Sequence, residues 1–180
     1  MTAHTIASLM FGLVLIQGAT AASPSEDTLD RLGQASSQQE ADALEKDIWD
    51  IWLEQAGPTV DILMTRGVDA QARGDTELAR DMYDRVILIN PDYAEVWNRR
   101  AALFFSKGQY DEAIADLEEA LKRQPRHFGA WIGLGVIFEA LEENDAALAA
   151  YRSALAIHPF ASAARAGEKR LVPIVEGRSL

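Results

Sequence analysis

The residues of this chain recur every 34 positions, and the ones that recur are either bulky aromatics or alanine. Trp97 returns as Trp131, Phe104 as Phe138, Ala113 as Ala147 and Ala120 as Ala154, while Pro91, Pro125 and Pro159 mark the frame. Self-similarity at this period belongs to a stacked array of supersecondary units, in which each unit buries its apolar face only against its neighbours.

Within one period the pattern reads as two helices, a short turn between them and a proline after the second. The turns are Gly74-Asp75, then Gly108-Gln109-Tyr110-Asp111, then Glu142-Glu143-Asn144-Asp145. Glycine accepts the left-handed conformation at a helix end, and Asp or Asn caps the helix that follows. Asp92 and Glu95 have capping-box spacing for the second unit. Each proline falls after the second helix, where the missing N–H costs least.

The flanks differ from the repeats. Residues 23–37 are polar and read as a linker, with Leu29 and Leu32 hinting at one short helical stretch. From residue 38 the spacing of Ala41, Leu44, Ile48, Ile51 and Trp52 predicts an N-terminal helix over 38–56, widened by Trp49 and Leu53 and stopped by Gly57-Pro58. Residues 162–173 read as a last helix closed by Pro173. A stack exposes an apolar end unless something covers it. Helix 38–56 is therefore expected over the first unit, and helix 162–173 over the third.

Composition narrows the rest. At 48% hydrophobic residues the chain has enough apolar surface for a packed core. It has no cysteine, which excludes disulfides, thiolate metal sites and cysteine nucleophiles. Residues 1–22 carry no Lys, Arg, Asp or Glu. The run Ile6–Ile16 is apolar, and Ala19-Thr20-Ala21 fits a small-x-small cleavage pattern. This block predicts a signal peptide, although its start offers only the α-amino group and His4 as positive charge. The expected location is outside the cytoplasm, in a bacterial periplasm, with membrane contact only through an uncleaved signal. The net charge of −11 is concentrated in residues 23–59, which hold nine acids and two bases. That balance argues against nucleic acid as a partner, because phosphate binding needs a basic face. The basic pairs Arg99-Arg100 and Lys122-Arg123 sit among acids and read as solvated helix surface.

The pattern resembles the tetratricopeptide repeat family, whose unit is a pair of antiparallel helices of 34 residues. The third unit, 128–161, carries the whole signature: Trp131, Leu134, Gly135, Phe138, Ala147, Tyr151, Ala154 and Pro159. The second, 94–127, matches at Trp97, Ala101, Phe104, Ala113, Leu117, Ala120 and Pro125 and departs at Arg100, where leucine is commoner. The first, 60–93, matches at Gly67, Ala79, Tyr83 and Pro91 and departs at Leu63, Arg66, Ala70 and Val86. The resemblance implies an all-α fold of three helical hairpins in a short right-handed superhelical array with capping helices at both ends. Small residues such as Gly135 let paired helices approach, and Trp131, Phe138 and Tyr151 fill the spaces between pairs. Ala70 lacks the usual aromatic, and Trp49 or Trp52 is expected to fill that space.

Catalytic chemistry is scarce in this sequence. His4 lies in the predicted signal, and His127 and His158 fall in turns, where exposure is the expectation. Gly133-Leu134-Gly135 sits inside a helix with no preceding strand, so packing explains it better than a nucleotide loop. No cofactor or metal is expected and the chain is read as no enzyme. The family resemblance implies a concave groove lined by the first helix of each pair. Carried over, its positions are Asp61, Met64, Val68 and Gln71; Glu95, Asn98, Ala102, Phe105 and Ser106; and Ile132, Val136 and Glu139. This lining has an apolar centre and acidic rims at Asp61, Glu95 and Glu139. Asn98 alone would suit a carboxylate clamp, since Met64, Val68, Gly129 and Gly133 cannot serve. The expected function is a non-enzymatic scaffold or adaptor of the cell envelope, holding a partner protein segment in the groove. The alternative is a self-associating homo-oligomer with no peptide ligand.

Overall fold

A computed structural model describes residues 24–54 and 57–179. The described residues form helices and no strand: α1 (Pro24–Gly33), α2 (Gln38–Glu54), α3 (Pro58–Ala72), α4 (Thr76–Ile89), α5 (Ala94–Ser106), α6 (Tyr110–Arg123), α7 (Phe128–Ala140), α8 (Asn144–Ile157) and α9 (Ser162–Val175), with a 3-10 turn at Glu176–Ser179. Helices α3–α4, α5–α6 and α7–α8 are the three hairpins, stacked in a superhelical array, and α9 packs on α8 as the first helix of a fourth pair would. It runs to Val175, past Pro173. Among the described residues no helix is long and apolar enough to cross a membrane. The predicted signal, residues 1–22, lies outside the described residues.

The turns use the chemistry read from the sequence only in part. Gly74 and Gly108 adopt φ of 78° and 71°, and Glu142 takes the same left-handed place with φ 61°. Asp75 caps α4 by accepting from the Leu78 N–H at 3.1 Å. The Asp92–Glu95 capping box does not form. Tyr93 is the N-cap of α5 with no side-chain bond, because Glu95 turns inward to other partners. His127 caps α7 instead, its Nδ1 accepting from the Ala130 N–H at 3.1 Å.

Packing follows the repeat, with one reordering among the aromatics. Tyr83 and Tyr151 are the largest fully buried side chains, each lying against a helical glycine. A Cβ added at Gly135 would stand 2.6 Å from the Tyr151 ring, so only glycine fits there. Trp97 and Trp131 are half-buried. Each indole N–H donates to the carbonyl of the proline six residues before it, Pro91 at 2.9 Å and Pro125 at 3.0 Å. Arg165 repeats the geometry toward Pro159 at 2.6 Å, which extends the frame into α9.

The unusual Arg100 now has a reason. It forks onto Asp116 at 2.8 and 2.7 Å and reaches Asp84 at 2.7 Å, tying α5 to both flanking second helices. It also lies over the Trp97 ring at 5.0 Å, with Arg123 at 4.6 Å. These arginines are therefore structural ties and not the solvated surface that the charge pattern suggested. Asp116 is buried, and burial holds its carboxyl above the usual range against the pull of Arg100. Arg100→Leu, the family's own residue, is expected to cost about 1–3 kcal/mol by stranding that carboxylate. Adding Asp116→Ala is expected to recover most of the loss in urea denaturation.

The N-terminal flank departs most from expectation. Residues 24–33 are a helix and not a linker, with Leu29 and Leu32 fully buried. Helices α1 and α2 form a hairpin whose core joins Leu29, Leu32, Ala41, Leu44, Ile48 and Trp52 to Phe128 of α7. The hairpin therefore does not cap the first unit. It folds back along the array to the third. Trp49 and Trp52 pack on Phe128 and His127, far from Ala70, which is closed over by a cluster including Tyr83, Val96 and Leu103. Ile62, Leu88 and Ile89 of the first unit stay exposed, Leu88 at 84%. Six apolar residues of the hairpin meet Phe128, Ile132, Ile157 and Phe160 in one cluster.

Candidate functional site

The side chains with titratable chemistry on the array's inner face are mostly engaged with one another. Glu95 is 1% exposed. Its carboxylate accepts from His127 Nε2 at 3.0 Å, Asn98 Nδ2 at 3.0 Å and Arg99 Nε at 2.5 Å. Because His127 Nδ1 accepts the Ala130 amide, the ring is held as the Nε2–H tautomer and donates to Glu95. Burial alone would push the Glu95 carboxyl up; the hydrogen bond from His127 and the charge of Arg99 outweigh it and hold the group below the usual range. Trp52 stacks on the same imidazole, ring centroids 4.4 Å apart.

His158 repeats the theme two turns back along α2 from Trp52. Its Nε2 meets Glu45 Oε2 at 3.1 Å, and Trp49 donates to the other Glu45 oxygen at 3.2 Å. The bond to His158 lowers the Glu45 carboxyl against the effect of burial. Arg126 fastens α1 through Glu26 at 3.0 Å and Asp30 at 2.7 Å. Both turn histidines are thus buried fasteners, against the expectation of exposure. Sequence spacing carries no sign of this, since their partners lie 32 and 113 residues away.

The carried-over groove positions divide accordingly. Glu95 is internal and is no rim. Glu139 accepts from Tyr151 at 2.9 Å and is gripped by Arg170. Gln71 accepts from Tyr83 at 3.0 Å. Met64 is buried core, and Ile132 packs beneath the α1–α2 hairpin. Two of the open pockets gather the others. One, of about 410 Å3, brings Asp61, Met64 and Val68 together with Leu53, Thr65, Asp69 and Arg99. The other, of about 140 Å3, brings Asn98, Ala102, Phe105 and Val136 together with Ala101, Leu117, Gly133 and Ile137. Ser106 is exposed and its hydroxyl is turned back to the Leu103 carbonyl at 2.7 Å. Thr65 and Asp69 were legible as the i+4 and i+8 neighbours of Asp61 on one helical face. Leu53 was not, because it arrives with the refolded hairpin. Among the described residues no group of three His, Asp or Glu side chains is placed to hold a metal.

Comparison with known proteins fits this architecture. The tetratricopeptide repeat model matches residues 64–117 and 99–162. A TPR repeat-containing protein of Rhizobium etli is 32% identical over 150 residues, covering 81% of this chain and 74% of its own. The small glutamine-rich tetratricopeptide repeat-containing protein 2 of Saccharomyces cerevisiae is 31% identical over 127 residues, covering 71% of this chain but only 36% of its own length. Among solved structures, the Sgt2 TPR domain of Aspergillus fumigatus has a TM-score of 0.62 at 26% identity, over 68% of this chain and 83% of that domain. The first TPR of Spaghetti (RPAP3), solved with the HSP90 peptide SRMEEVD, shares the fold at TM-score 0.62 and 19% identity, over 65% and 93% of the two chains.

Proposed function

The chain belongs to the tetratricopeptide repeat family, and from that premise we propose that it is a non-enzymatic interaction module which holds a segment of a partner protein on the face formed by α3, α5 and α7. One observation carries this reading. The pocket at Ala102, Phe105 and Val136 is apolar and open, while the groups that usually do chemistry, His127, His158, Glu45 and Glu95, are tied to one another inside the fold. Such a pocket takes an apolar anchor from a helical or extended segment. Arg99, the arginine that lines the larger pocket, is paired with Glu95, so this pocket presents no free basic group to a phosphate. The apolar run Ile6–Ile16 followed by Ala19-Thr20-Ala21 supports export and a place in the cell envelope, in a bacterial periplasm.

The test is capture of the partner from envelope extract with the full chain and with Phe105→Glu and Val136→Glu. The expected result is a partner retained by the wild type and lost from both variants. Retention by both would remove the groove from consideration. N-terminal sequencing of the same protein is expected to begin at Ala22 or Ser23; an intact Met1 or Thr2 in cytosolic material would overturn export. The exposed Ile62, Leu88 and Ile89 favour a second reading, self-association through the first unit. Light scattering that finds a stable oligomer of the pure protein supports it.

A further inference from the structure

The larger of the two open pockets contains an acceptor that the fold leaves without a donor. Asp61 Oδ1 is shielded from solvent and has no hydrogen-bond partner. Asp61, Thr65 and Asp69 follow one another at intervals of four on α3. The two carboxylates therefore lie about 12 Å apart along the helix axis. Met64 and Val68 lie between them, and Leu53 of α2 closes the wall. Arg99 also lines this pocket, but its charge is already met by Glu95 at 2.5 Å. The other acids on this face are matched as well, Glu95 by His127 and Arg99, Glu139 by Arg170. Among the described residues Asp61 and Asp69 form no ion pair. The result is an apolar slot of about 410 Å3 lined by the Asp61 carboxylate, with a second, exposed carboxylate two turns further along α3.

We propose that this slot is a socket for a basic side chain, an arginine or lysine of the protein segment held on this face. The proposal rests on the binding reading above and specifies its chemistry. The methylene stem would lie along Leu53, Met64 and Val68, as long cationic side chains do on apolar surface. The head group pairs with the Asp61 carboxylate. A guanidinium suits this place best, because its planar fork satisfies a carboxylate with two parallel bonds. A neutral side chain leaves the Asp61 carboxylate without a counter-charge, and an acidic one adds a third negative charge to the slot. With the smaller pocket taking an apolar anchor, the preferred segment carries a basic residue and an apolar residue, each directed to its own pocket.

The experiment is selection from a phage-displayed library of random peptides against the immobilised full chain. Selected peptides are expected to be enriched in arginine or lysine accompanied by apolar residues. The affinity of such a peptide is expected to fall about 10- to 100-fold on Asp61→Asn, the factor carried by a hydrogen bond to a charged group. Asp69→Asn is expected to change it by less than about twofold, because a charge that far away through solvent is largely screened. Exchange of the peptide's basic residue for norleucine should match the Asp61→Asn loss and add little to it. The peptide exchange keeps the test intact if Asp61→Asn melts early. Peptides that bind without a basic preference, or that bind Asp61→Asn unchanged while Phe105→Glu abolishes binding, overturn the socket and leave the groove reading standing. A selection that enriches nothing overturns the groove reading and the socket with it.

Discussion

Tyr151→Ala is expected to destabilise the protein by about 3–5 kcal/mol, the range measured for deleting a buried aromatic ring. Total stabilities of single domains are about 5–15 kcal/mol, so this one change removes a large share. The magnitude follows from the surroundings of the ring. Tyr151 is 1% exposed and is clasped between Gly135 of α7 and Gly167 of α9. Backbone on both sides cannot collapse into the space that the ring vacates, so the cavity term is retained. The hydroxyl contributes less. Tyr151→Phe loses only the bond to Glu139, and Arg170 still satisfies that carboxylate, so about 1 kcal/mol is expected. Trp131→Ala should cost less than Tyr151→Ala because the indole is half-buried. Urea denaturation of the three variants checks the ranking. A larger loss from Trp131→Ala would place the packing centre of the third unit elsewhere.

Glu95→Ala is expected to cost about 2–4 kcal/mol. Breaking a buried pair costs about 3–5 kcal/mol when the partner's charge is stranded. Here the loss is reduced because Arg99 is partly exposed. The variant should also change the acid limb of stability. Glu95 and Glu45 both have carboxyls held below their ordinary value of 4.5. The folded state then binds fewer protons than the unfolded state near that pH. Their contribution is complete above the ordinary value and is lost as pH falls through the lowered folded values. Asp116 acts in the opposite direction, its carboxyl being raised by burial, so the comparison must be between variant and wild type. The wild type is expected to lose stability below a pH of about 4.5 more steeply than Glu95→Ala. Parallel acid limbs would show that Glu95 is not the group titrating there.

Much of the fold was readable because the repeat makes each unit solve the same local problem. Gly67, Gly135, Tyr83 and Tyr151 occupy the same relation in two units, and the periodicity that places them depends on helix geometry and one short turn. The groove positions were less readable. The family pattern puts Glu95 and Glu139 at the rim, but the rotamer each adopts depends on partners from other units, His127 in one case and Arg170 in the other. Asp61 was recognised as acidic lining; that one of its oxygens lacks a donor was not visible in a linear pattern.

The sequence by itself determined the all-α class, the three hairpins, the small residues at close helix approaches and the absence of cysteine chemistry. These are set by contacts within one period, where spacing and side-chain size suffice. Only the tertiary structure decided where the α1–α2 hairpin lies, why His127 and His158 are buried, and which part of the inner face stays open. Each of those depends on residues from opposite ends of the chain meeting, Trp52 with His127 and Glu45 with His158. An amphipathic helix declares that it must cover an apolar face, but not which one. The choice fell to the third unit because Phe128, Ile132, Ile157 and Phe160 and the Glu45 partner His158 are all found there.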